Sequence, residues 1–160
     1  MLILRRATID DSGTILTWRN DPDTRSASFS DRVISVEEHE AWLTARLTST
    51  HDESIWIIER DGRNESDLVR LAFPTRIAVG NGRIKIEDRD RAEISIVIDP
   101  DLRGQGLGCA SIRLLVQAVR RMSRRPVAYI RPENERSIKA FNAAGFYVKT
   151  FTVDRMELWA

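Results

Sequence analysis

Ala92-Glu93-Ile94-Ser95-Ile96-Val97-Ile98-Asp99 leads into Arg103-Gly104-Gln105-Gly106-Leu107-Gly108, and an amphipathic segment follows at once. The first stretch predicts a strand, the second a glycine-rich turn and the third a helix over Cys109–Met122. Ile112, Leu115, Val116 and Val119 recur at helical spacing and are the expected core face of that helix. Strand, glycine turn and helix together build an anion site. Backbone N–H groups in the turn and at the helix start are unpaired, and the helix dipole favours negative charge there. A β-carbon in the turn would keep a phosphate away from the backbone, so glycine suits it. Arg103 adds a cation. The segment predicts a phosphorylated ligand, against the plainer reading of a connecting turn.

Spacing narrows the ligand. A P-loop ends in Gly-Lys-Ser/Thr, but Gly108 is followed by Cys109-Ala110. A dinucleotide fingerprint has a third glycine where this chain has Cys109. It also has an acid about 20 residues further on, where Arg124 and Arg125 stand. What fits is R-x-x-G-x-G at Arg103, Gly106 and Gly108, which resembles the acetyl-coenzyme A pyrophosphate loop of the GNAT N-acetyltransferase superfamily. A second segment strengthens the resemblance. Ile130-Arg131-Pro132-Glu133-Asn134 closes a strand, Asn134 opens a short helix, and the helix ends at Gly145-Phe146. Asn134 is a good N-cap and Gly145 suits a left-handed C-cap.

Composition permits one domain of ordinary size. The chain has 160 residues, 42% hydrophobic and 31% charged. The net charge of +1 gives no reason to expect nucleic acid, and no metal site is expected. Charge is uneven, however. Residues 1–80 carry 10 Lys and Arg against 14 Asp and Glu, whereas residues 81–160 carry 15 against 10. The positive half holds the glycine loop, which suits an anion, although solvated arginines account for much of the excess. Cys109 is the single cysteine, so no intrachain disulfide forms. Its place at a helix start can lower a thiol pKa, and a packing role is the alternative. Met1 to Arg6 is too short an apolar run for a signal peptide, and nothing approaches a membrane span. A cytoplasmic location is expected, with homodimerisation left open.

Elsewhere strands and helices alternate. Leu2–Thr8 reads as a strand, and Asp10-Asp11 opens a helix through Trp18. Ser35-Val36-Glu37-Glu38 reads as a capping box for a second helix with Trp42, Leu43 and Leu47 on its stripe. Ser54–Glu59, Leu68–Phe73, Pro126–Ile130, Phe146–Val153 and Met156–Trp159 read as strands. Pro74–Arg91 is ambiguous: Asn81-Gly82 signals a hairpin, and Arg83–Glu87 an additional strand arm. The order is that of the GNAT fold, a mixed α/β (α+β) domain over residues 1–160. It has a mostly antiparallel sheet, helices on both faces and a splayed central strand pair.

The resemblance implies where the chemistry lies. In the family the pantetheine arm occupies the gap between splayed strands, so Val97, Ile98 and Asp99 are expected to line it. Arg103, Gly104, Gln105, Gly106, Leu107 and Gly108 are expected to hold the pyrophosphate. Asn134, Ser137 and Phe141 are expected to flank the thioester. The acetyl group then passes directly from acetyl-CoA to an amine. Glu93 matches the strand carboxylate that serves as base in some members; anchoring the acceptor or pairing with an arginine of the Asp88–Arg91 segment is the alternative. The family's acid, a tyrosine in the Asn134 helix, is Phe141 here. That leaves Tyr129, Tyr147 or water as the proton source.

The acceptor is read from the N-terminal half. Trp18-Arg19-Asn20-Asp21-Pro22, Phe29-Ser30 and Ile34-Ser35-x-Glu37-Glu38-His39-x-x-Trp42 resemble the amino-sugar acetyltransferases of the pseudaminic acid pathway, which acetylate a UDP-linked 4-amino sugar. Arg19 is expected to clamp an anion, Asn20 and His39 to read hydroxyls, and Trp18 or Trp42 to stack on a sugar or base. The plainer roles are a helix C-cap for Arg19, a helix-surface position for His39 and core packing for Trp42. A small-molecule amine acceptor is the leading reading. A protein N-terminal acetyltransferase and a non-catalytic acyl-CoA-binding module are the alternatives.

Overall fold

A computed structural model describes residues 1–48, 52–61 and 76–160. Seven strands form one sheet: β1 (Leu2–Arg6), β2 (Glu53–Asp61), β3 (Arg76–Ile86), β4 (Arg91–Ile98), β5 (Arg125–Ile130), β6 (Tyr147–Phe151) and β7 (Met156–Trp159). Their spatial order is β1-β2-β3-β4-β5-β7-β6. Every neighbouring pair is antiparallel except β4 and β5, which run parallel. That parallel step requires a crossover, and α4 (Leu107–Arg121) supplies it. The mixed, mostly antiparallel sheet of the sequence reading is thus present.

Alternation along β4 sorts its side chains. Ala92 and Ile94 are buried with Ile112, Leu115, Val116 and Val119 of α4 and with Phe141 of α5 (Glu135–Ala143). Glu93 and Ser95 therefore face the other way. On that second face α1 (Ser12–Asn20) and α3 (Val36–Thr48) cover Ile55 and Ile57 of β2, with Ile15 and Leu43 in the contact.

The N-terminal helices and the β3–β4 connection differ from expectation. Asn81-Gly82 is no hairpin: it lies inside β3, paired with Ile57 and Trp56 on one side and with Val97 and Ile96 on the other. Gly82 is there for packing, because a Cβ would come within 2.7 Å of the Leu115 side chain. The turn comes instead at Asp88, whose Oδ1 accepts from the N–H groups of Asp90 and Arg91, both at 2.8 Å. The first helix continues past Trp18 to Asn20, and Pro22–Ser26 forms a short extra helix, α2. Asp21 caps α2 by accepting from the Thr24 N–H at 2.9 Å, with Pro22 in the first turn. The expected strand Leu68–Phe73 lies outside the described residues.

Candidate active site

β4 and β5 part company early. Their register covers only Arg91–Glu93 against Arg125–Val127. Beyond it β4 stays on β3 as far as Ile98, while β5 stays on β7 as far as Ile130. Among the described residues, the edge of Ile94–Ile98 that faces β5 therefore has no strand partner. Gly80 of β3 sits opposite Ile98, and a Cβ there would lie 2.3 Å from the Val97 carbonyl oxygen. β3 thus approaches β4 where the splay opens, a contact for which the sequence offered only an unexplained glycine.

The glycine loop lies at the open end. Gly104 and Gly106 have φ of +78° and +74°, and no other group lies within 4 Å of where a Cβ would stand at either. Left-handed backbone with open space above it is the cradle an anion requires. Gly108 already belongs to α4, where an added Cβ would meet Ala140 and Ile96 only at ordinary contact distance, 3.8 and 3.9 Å. Arg60 donates to Gln105 Oε1 at 3.3 Å, tying the loop to β2.

Arg103 is not free beside this cradle. Its Nη2 donates to Asp21 Oδ2 and to Thr24 Oγ1, both at 2.7 Å, and its Nη1 reaches Asp23 at 3.5 Å. Asn134 is engaged as well. Its Oδ1 accepts from the Ser137 N–H at 3.1 Å, the expected cap, and its Nδ2 donates to the Ala27 carbonyl at 3.2 Å. Phe141 belongs to the core, 3% exposed and edge-on to Phe146 at 4.9 Å. Its ring packs into the core shared with α4 and the sheet.

Glu93 faces the α1 and α3 side, its side chain 15% exposed. Arg83 donates to its Oε1 at 2.7 Å and to Glu53 Oε1 at 3.0 Å, and Arg46 of α3 pairs with the other oxygen of Glu53. The partner of Glu93 is thus on β3, not in the Asp88–Arg91 turn. Neither tyrosine is poised as an acid. Tyr129 donates its hydroxyl to Glu87 at 3.0 Å, and burial followed by that hydrogen bond pushes its pKa up to about 12. Tyr147 lies on β6, the edge strand away from the splay.

Four residues read as acceptor contacts serve the fold. Asn20 spends its amide on one loop residue: Nδ2 donates to the Ile34 carbonyl and Oδ1 accepts from the Ile34 N–H, at 2.8 and 2.9 Å. His39 is 3% exposed, so it cannot read hydroxyls in solution. Burial pushes its imidazole below the ordinary value, against a hydrogen bond with the Ser12 backbone that favours the charged form. Trp42 packs on the α1–α3 core with its ring 5.5 Å from His39. Arg19 donates to the Ser30 carbonyl at 2.8 Å. Its Nη1 is buried without a hydrogen-bond partner among the described residues, as is Nε2 of His39.

A splayed parallel pair with a left-handed glycine cradle at its mouth defines an acyl-CoA-dependent transferase type of site. The family comparison agrees: residues 1–147 match the acetyltransferase (GNAT) domain, and the chain belongs to that family. No curated protein sequence matches the chain. Among solved structures, a domain from Methanocaldococcus jannaschii DSM 2661 superposes with a TM-score of 0.80 at 23% identity, covering 99% of this chain and 96% of that one. The spermidine N-acetyltransferase of Vibrio cholerae, in complex with CoA and spermine, gives 0.79 at 17% identity, with 99% and 94% covered. An aminoglycoside acetyltransferase in complex with coenzyme A gives 0.77 at 14% identity, with 100% and 94% covered. At these identities the superpositions speak for the fold.

Proposed function

We propose that this chain transfers an acetyl group from acetyl-CoA to the primary amine of a small molecule. The splay carries the reading, since it leaves one strand edge unpaired beside an open anion cradle. Membership of the GNAT family supports it. So do the similar structures of acetyltransferases with CoA and spermine or with coenzyme A. Acetyl-CoA supplies an activated acetyl thioester. The cradle of Gly104 to Gly108 holds phosphate through backbone N–H groups, and the unpaired edge of Val97 and Ile98 accepts an extended amide-bearing arm as a further strand would. In this reading Val97, Ile98 and Asp99 line that arm and Ser137 lies near the thioester. A backbone N–H on this edge donates to the oxygen that becomes negative during transfer. Glu93 approaches from the opposite face, with Arg83 fixing one carboxylate oxygen while the other receives the amine proton, directly or through water. Water protonates the departing thiolate, because Phe141 has no proton to give and Tyr129 is committed to Glu87.

The narrower reading, a UDP-linked 4-amino sugar, draws on the N-terminal sequence pieces alone. Arg19 is its remaining candidate contact, the other three residues being engaged in the fold. The test is an acetyl-CoA-dependent screen of polyamines, free and UDP-linked amino sugars, aminoglycosides and peptide N-termini, read by release of the CoA thiol. Turnover of one small-amine class is expected. Preference for peptide N-termini would move the reading to protein acetylation. Acetyl-CoA binding without turnover of any amine would favour an acyl-CoA-binding module. Within the screen, Glu93→Gln should lower kcat roughly 10²- to 10⁴-fold with CoA affinity unchanged. A loss confined to acceptor KM would make Glu93 an anchor instead.

A further inference from the structure

Asp21 lies in the Trp18-to-Pro22 piece that resembles an acceptor site, yet its carboxylate pairs with Arg103 at the start of the glycine loop. Residues 21–28 are held from across the molecule by groups of the other half. Arg103 binds Asp21, Thr24 and Asp23. Arg136 of α5 reaches Asp23 at 3.4 Å. Arg131 donates to the carbonyls of Ser26 and Ser28, both at 3.2 Å, and Asn134 donates to that of Ala27. Two carboxylates thus take up Arg103, which opens the glycine loop, and one of them also meets Arg136. Asp21 is well covered, its side chain 18% exposed, whereas that of Asp23 is 62% exposed.

We propose that Asp21, seconded by Asp23, sets the donor selectivity of the site by competing with the cofactor's phosphates for Arg103 and Arg136. The inference rests on acetyl-CoA binding at the glycine loop. A pyrophosphate at Gly104 to Gly108 and the Asp21 carboxylate make opposing demands on one guanidinium. If Arg103 turns to the phosphate, the Asp21 contact is lost. If it stays, an anion stands beside an anion. Either way the carboxylate weakens binding of a phosphorylated donor and leaves an unphosphorylated one alone. Exchange of Arg103 also frees α2 from one of its cross-chain holds, so cofactor binding reaches the acceptor side through this segment.

The test compares acetyl-CoA with S-acetylpantetheine, which has the same thioester and arm without the phosphates. Asp21→Asn keeps a capping side chain on α2 and removes the charge. It should tighten acetyl-CoA binding about fivefold by calorimetry, the scale of one partly exposed charge pair. kcat/KM for S-acetylpantetheine should stay constant. In an Arg103→Gln background the gain from Asp21→Asn should shrink, since the contested cation is gone. Asp23→Asn, at a more exposed position, should give a smaller gain of the same sign. It also serves as the second variant should Asp21→Asn fold poorly. Weaker or unchanged acetyl-CoA binding in the Asp variants overturns the inference, and so does an equal change for both donors. Wild type that binds CoA while the variants bind no tighter sinks this inference alone. Wild type that binds no CoA takes the acetyl-CoA reading down with it.

Discussion

Gly106→Ala separates the cost of backbone strain from the cost of losing the anion site. The residue has φ of +74°, and the space a methyl group would fill is empty. An L-residue held in the left-handed region costs about 1–2 kcal/mol. The lower entropy of the unfolded alanine chain returns about 0.4–1 kcal/mol. The net loss is therefore about 1 kcal/mol, a fall of roughly 2–4 °C in Tm for a domain of this size. Binding should suffer far more, because the methyl group stands where phosphate meets the amides. Loss of one charge-assisted contact, about 1.5–3 kcal/mol, weakens affinity roughly 10- to 150-fold. Gly145→Ala is the control. Gly145 also has positive φ, +99°, with open space around it, but it closes α5 away from the loop. It should lose similar stability and keep its CoA affinity. Thermal melts and calorimetry with CoA read both quantities. Unchanged affinity in Gly106→Ala would refute the assignment of the loop, as would an equal affinity loss in Gly145→Ala.

Three further outcomes follow from the geometry. Tyr129→Phe should leave kcat within about threefold, because a hydroxyl committed to a carboxylate and pushed up to about 12 gives up its proton reluctantly; a loss of 100-fold would make Tyr129 the acid. His39 is buried and its imidazole is pushed below the ordinary value of 6.5, so the stability it supports is complete above that value and falls as pH drops through the lower folded value. Denaturant midpoints measured from pH 7 to pH 5 should therefore decline in wild type and decline less in His39→Gln, and equal slopes would remove His39 from the account. Gly80→Ala should destabilise more than Gly82→Ala, since the new Cβ meets the Val97 carbonyl oxygen at 2.3 Å in the first and a Leu115 side-chain carbon at 2.7 Å in the second. Side chains repack at about 1–3 kcal/mol where backbone must move; equal chemical-denaturation midpoints would contradict this.

The cofactor half was legible in the sequence because local chemistry decides it. Glycines with positive φ, the Asn134 cap and the amphipathic stripe of α4 each announce themselves within a few residues. The acceptor half was not, because its roles depend on partners far along the chain. Asn20 reads as a polar contact until Ile34 closes on it, and His39 reads as accessible until α1 covers it. Asn81-Gly82 has the letters of a turn, but its glycine answers to Leu115, more than thirty residues away. Asp21-Pro22 did carry a readable signal, a cap followed by proline in the first helical turn. In the resemblance the same two residues belong to the acceptor piece Trp18 to Pro22.

The same residues bear on how the two halves work as one enzyme. The negative excess of residues 1–80 and the positive excess of residues 81–160 meet at α2, where Asp21 and Asp23 face Arg103 and Arg136. On the second face, Arg46 and Glu53 lead through Arg83 to Glu93, so α3 is tied to the proposed base across β2 and β3. Both links pass through charged groups, one at α2 and the other at α3. A substitution in the N-terminal half therefore has two routes to the chemistry. Through Asp21 it alters donor affinity; through Arg46 or Glu53 it alters the orientation of Glu93. The two are separable, because the first acts on acetyl-CoA binding and the second on kcat at saturating acetyl-CoA. Glu53→Gln should lower kcat and leave CoA affinity at the wild-type value. If it weakened CoA as Gly106→Ala does, the two faces would not be independent.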